Sequence, residues 1–122
     1  MSDRIDKVNQ ALRKEIGTIV QFELKDPRLE FVTITYVEVT RDLQHARVYF
    51  SVLGDAKRIH TAQQGLESAR GFIRRIVGQR IQMRYTPEIE FSFDETMARG
   101  LRIEGTLDDI KTKERDQDTH PA

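Results

Sequence analysis

Five arginines, Arg70, Arg74, Arg75, Arg80 and Arg84, lie between Ser68 and Pro87 with no Asp or Glu among them. A guanidinium is a rigid fork of N–H donors that matches phosphate oxygens in pairs, so a run of this kind suits a polyanion. Gly71 falls inside the run, and a helix starting there would add backbone N–H groups that also favour an anion. The competing reading is a solvated face whose arginines pair with Glu67, Glu88 or the acidic C-terminal third. Surface pairs of that kind add little stability.

Lys7 and Lys14 stand opposite the apolar stripe of an N-terminal helix, where their ammonium groups are free either to meet phosphate or simply to keep the helix soluble. Arg4 and Arg13 are weaker candidates on the same segment. Tyr36, Tyr49 and Phe50 fall on strands, where exposed aromatics can stack on bases. Phe50 shares its parity with Ala46, Val48 and Val52 and is assigned to the core. The two tyrosines lack the aromatic-glycine run of a base-stacking sheet and are assigned to core or edge packing.

Catalysis finds no inventory. His45, His60 and His120 are isolated, no paired histidines stand at ligand spacing, and the chain has no cysteine, so neither a metal nor a cofactor is expected. The adjacent carboxylates Asp94-Glu95 and Asp108-Asp109 point apart on a strand or lie about 100° apart on a helix, and neither makes an acid–base pair by itself. No phosphate-binding glycine loop or nucleophile elbow is present.

The chain has 122 residues, the length of one domain, and its formal net charge is zero, which by itself argues against nucleic acid. The distribution reverses that impression. Residues 1–84 hold 15 Lys and Arg against 10 Asp and Glu, while residues 85–122 hold 5 against 10. With no apolar run of signal-peptide or membrane-spanning length, a soluble cytoplasmic protein is expected.

The elements that must position these residues follow from periodicity. Ser2 and Asp3 can cap a helix in which Ile5, Val8, Leu12, Ile16 and Ile19 form one stripe, ending near Leu24 ahead of Pro27. FVTITYVEVT and HARVYFSVL read as two strands, and a change of apolar parity between Ile34 and Val37 suggests a bulge in the first. Ile59, Ala62, Leu66, Ala69, Ile73 and Ile76 keep helical spacing through Gly71, which predicts two helices meeting at Ala69-Arg70-Gly71 or one kinked helix, capped by Gly78. Bulk at Gly71 is expected to do more damage to function than a methyl at Gly54. Residues 81–86 alternate and read as extended, and Ile89, Phe91 and Phe93 mark a last strand. Met97, Leu101, Leu107 and Ile110 suggest a weak helix over 97–111, followed by a disordered tail over 112–122. The sum is an α+β layer fold.

The order helix-strand-strand-helix-helix-strand, with a glycine at the helix junction, resembles a bacterial-type (type II) KH domain, a fold whose GXXG loop clamps single-stranded RNA. No GXXG is present, and Ala69-Arg70-Gly71 stands in its place. That interrupted form, with RIDKVNQALRKEI, the DPRL turn, the strand pair and ARGFIRRIVGQRIQMRYTPEIEFSFDET, resembles the ribosome-binding factor A family over about residues 3 to 96. The resemblance implies an RNA-binding domain over residues 1–96 and a monomeric cytoplasmic factor that binds free small (30S) ribosomal subunits and their 16S rRNA. It further implies assistance in late maturation and 5′-end processing and a particular need in the cold; the alternatives are an adaptor whose arginine patch meets an acidic protein such as an assembly GTPase or a ribosomal protein, and a general single-strand RNA binder. The site residues expected to touch RNA are Arg70, Arg74, Arg75, Arg80, Arg84, Lys7 and Lys14, beside the Ala69–Gly71 junction.

Overall fold

The computed structural model describes residues 2–96. The expected helical extension over 97–111, the tail over 112–122 and the capping side chains of Ser2 and Asp3 lie outside what it describes. In chain order the elements are helix α1 (Ser2–Thr18), a π turn (Ile19–Glu23), a 3-10 turn (Pro27–Leu29), strands β1 (Val32–Val39) and β2 (His45–Val52), helix α2 (Ala56–Arg80) and strand β3 (Glu88–Phe93). The sheet order is β1-β2-β3, with β1 antiparallel and β3 parallel to β2. A parallel neighbour needs a crossover, and α2 supplies it.

One face of the sheet is apolar and carries both helices. Leu12, Ile16 and Ile19 from α1 and its π turn meet Ile34, Val37, Val48 and Phe50, while Ala62, Leu66, Ile73 and Val77 of α2 close over Ile89 and Phe91. Fully burying a large aliphatic or aromatic side chain contributes roughly 1.5–3 kcal/mol, so this stripe-on-sheet packing holds the fold. The anticipated bulge is present: Ile34 pairs with Phe50 and Tyr36 with Tyr49, leaving Thr35 as the extra residue. The Thr35 hydroxyl donates to the Asp94 carboxylate at 2.6 Å. The opposite face is polar, and on it Tyr36 and Tyr49 lie side by side with ring centres 5.6 Å apart.

Of the two alternatives for the second helical segment, the single helix is present: it runs from Ala56 to Arg80 through Gly71 and, contrary to the expected cap, through Gly78 to a C-cap at Ile81. Gly71 is exposed, and a Cβ there would meet no described residue within 4 Å. On space alone, then, Gly54 is the sensitive glycine: its φ is +134° and a Cβ would lie 2.7 Å from Arg58. Residues 81–86 form no strand; they make a loop packed on the last turns of α2, with the Thr86 hydroxyl next to Gly78. Alternation alone could not show this, because a strand is made by backbone pairing with a neighbour, which periodicity does not reveal.

Short-range chemistry sets the turns. Asp26 accepts from the Arg28 backbone N–H at 2.9 Å and from its guanidinium at 2.8–3.1 Å, which fixes the DPRL turn and drives Leu29 under α2. Phe31, immediately before β1, has φ of +68°. That left-handed geometry costs a residue with a Cβ about 1–2 kcal/mol.

Candidate nucleic-acid interface

The five arginines of the cluster divide by what they touch. Arg74 is committed to the fold: its Nε donates to the Pro87 carbonyl at 3.0 Å and its Nη2 to the Thr86 carbonyl at 2.8 Å, with Glu88 3.4 Å away. It thereby clamps the 81–87 loop to α2. Arg80 reaches back to the first helix, donating to Glu15 at 2.8 Å and to Glu23 at 2.8 and 2.9 Å. The Arg80 hydrogen bonds hold the Glu23 carboxyl below its ordinary range, and Glu23 and Glu15 together push the guanidinium pKa up. Arg70 makes an exposed pair with Glu67 at 3.1 Å.

Arg75 and Arg84 make no ion pair among the described residues. Each guanidinium lies over an aromatic ring, Arg75 over Phe72 at 5.3 Å and Arg84 over Tyr85 at 5.6 Å. A guanidinium on a ring keeps its donor edge free while its conformation is restrained, which suits capture of an external phosphate. Because Arg74 holds the Arg84 loop against α2, both free arginines belong to one end of the molecule. Arg80 also neutralises Glu15 and Glu23, two acids on the α1 side of that end that would otherwise repel phosphate.

Lys7 and Lys14 are exposed on α1, seven residues apart and so on one face, with no ion pair among the described residues. Ala69 is half-buried against the core, Arg70 and Gly71 are exposed, and the three form an ordinary helical turn. No backbone loop is offered there to a nucleic acid. A cleft of about 820 Å³ lies beside this turn, where Arg41, Arg47 and Arg70 are interleaved with Glu38, Glu67, Glu88 and Glu90. Its charges largely cancel, with Arg47 3.6 Å from Glu90. A GXXG-type clamp would need a cationic groove at this place.

The roles of Arg74 and Arg80 were not legible from composition, because their partners are carbonyls and acids distant in sequence. The Glu67 and Glu88 contacts of the alternative reading are present and engage Arg70 and Arg74.

A family model for ribosome-binding factor A matches residues 4–107. This chain belongs to that family. Among solved structures, the crystal structure of ribosome-binding factor A from Thermus thermophilus shares the fold at 24% identity, with a TM-score of 0.65 over 72% of this chain and 93% of that one. A solution NMR structure from Thermotoga maritima, provisionally assigned as a ribosome binding factor A, is similar at 30% identity and a TM-score of 0.67, covering 75% of this chain and 88% of that one. A homology model of the Thermus thermophilus factor, fitted into a cryo-EM map of its complex with the 30S subunit, matches at 25% identity and a TM-score of 0.58. That match covers 68% of this chain and 87% of the other.

Proposed function

We propose that this protein is a cytoplasmic assembly factor that binds the free small ribosomal subunit through its 16S rRNA and assists late maturation and 5′-end processing, with its greatest importance in the cold. Family membership is the observation that carries the reading, and the 30S complex of the Thermus thermophilus relative supports the choice of subunit. Within residues 1–96, the RNA-binding unit, Arg75 and Arg84 are the principal phosphate contacts, joined by Arg70, Lys7 and Lys14. Arg74 and Arg80 hold the surface that presents them. With an ordinary helical turn at Ala69–Gly71 and a charge-balanced cleft beside it, recognition at this part of the surface rests on the shape and phosphates of folded rRNA rather than on a clamped strand.

Sedimentation of a cell extract tests this directly. The protein is expected to migrate with free small subunits and their precursors and to be scarce on translating ribosomes. Equal occupancy of 70S particles and polysomes would overturn the reading. Association with the particles that survives complete RNA digestion would transfer the contact to a protein partner.

A further inference from the structure

A second groove lies on the other flank of α1, between its C-terminal turns, the DPRL turn and the start of the edge strand β1. Its volume is about 880 Å³, toward the upper end of ligand-sized clefts. Arg13, Lys14 and Lys25 line it, and none makes an ion pair among the described residues. Of the two acids in the lining, Asp26 is already neutralised by Arg28, which leaves Glu30 against three cations. Phe31 closes the groove at its strand end.

Phe31 is 62% exposed and sits in left-handed backbone that a glycine would adopt without strain. So exposed a ring contributes little to folding, and stability therefore does not explain a phenylalanine at this point. The ring is nevertheless braced, since the Arg58 guanidinium lies 5.7 Å from its centre and is anchored on the Glu30 carbonyl at 3.3 Å. An exposed, braced aromatic at the end of a cationic track is the arrangement by which proteins hold single strands: bases stack on the ring while phosphates follow the charges.

We propose that this groove binds an unpaired segment of RNA, with a base stacked on Phe31 and the adjoining phosphates on Arg13, Lys14 and Lys25. The proposal rests on the reading of the protein as an RNA-binding factor but, apart from Lys14, uses residues other than those grouped with Arg75 and Arg84. The chain contains no tryptophan, so Phe31→Trp places a single reporter in the groove. Titration with a uridine oligomer of about ten nucleotides, within the usual site size of a single-strand binder, is expected to quench that fluorescence. Phe31→Gly, which relieves the backbone and keeps the fold, should bind the oligomer about tenfold more weakly at undiminished thermal stability. The pair Arg13→Gln and Lys25→Gln should shallow the salt dependence of oligomer binding by about 1.4 logarithmic units. Absence of quenching, or oligomer affinity untouched by Phe31→Gly, overturns the groove. If Arg75→Gln with Arg84→Gln releases the small subunit while Phe31→Gly binds the oligomer like the parent, the groove fails and the proposed function stands.

Discussion

Arg80 and Glu23 form a two-point ion pair, both guanidinium Nη atoms donating to the two carboxylate oxygens at 2.8 and 2.9 Å, across 57 residues of sequence. The pair fastens the end of α2 to the π turn that follows α1. Because Glu23 is held below its ordinary pKa of 4.5 in the folded state, its contribution is complete above that value and is lost as pH falls through the lowered one. Asp26, lowered by Arg28 from 3.8, acts in the same direction. Thermal melting followed from about pH 7 down to about pH 3 should therefore show stability falling through the acid limb. Arg80→Gln should lower the melting temperature at neutral pH and flatten that limb. A variant with the parent's full acid dependence would remove this pair as a cause.

Salt dependence separates the arginines that bind from those that build. Replacing Arg75 and Arg84 with Gln should shallow the log-log slope of 16S rRNA affinity against salt by about 1.4–1.8 units, at roughly 0.7–0.9 per phosphate, and leave unfolding unchanged. Arg74→Gln should do the reverse, loosening the 81–87 loop and reducing stability by roughly 1–3 kcal/mol, since the Thr86 and Pro87 carbonyls lose a charged donor. Filter binding across about 50–200 mM salt, alongside urea unfolding, reads both. Equal slopes for the parent and the Arg75/Arg84 double variant would remove these two arginines from the interface.

Glycine substitutions give opposite signs at two positions. Gly71→Ala, in open helix with room for a methyl, should stabilise by about 1 kcal/mol. Gly54→Ala must accept φ of +134° and a contact at 2.7 Å with Arg58, and should destabilise by more than about 1 kcal/mol. Urea midpoints for the two variants on the same side of the parent would contradict the geometry.

These positions also explain what could be read in advance. The α1 stripe, the Thr35 bulge and the β3 alternation were legible because each is a local periodicity that the core simply uses. The continuity of α2 was not, since a glycine's intrinsic cost is visible in sequence while the burial of Ala62, Leu66, Ile73 and Val77 that overrides it is a tertiary fact. The 81–86 segment alternates like a strand, but the Thr86 carbonyl is taken by Arg74 of α2 and the segment pairs with no strand among the described residues. In the candidate site, the cationic run was plain, whereas its division into clamp, tether and free arginines depends on carbonyls and acids supplied by other elements. Phe31 gave no signal at all, because its left-handed φ arises where the DPRL turn hands the chain to β1.

Asn9 offers its side-chain carbonyl to the backbone N–H of Val39 at 2.9 Å. Among the described residues β1 has a partner on one side only, so this N–H belongs to the open margin of the sheet. An unpaired margin is a template onto which a neighbouring chain can stack, the first step toward fibrillar aggregation. By occupying that donor near the hairpin end, one amide from α1 guards the margin against such stacking, and it does so without proline, lysine or a shortened strand.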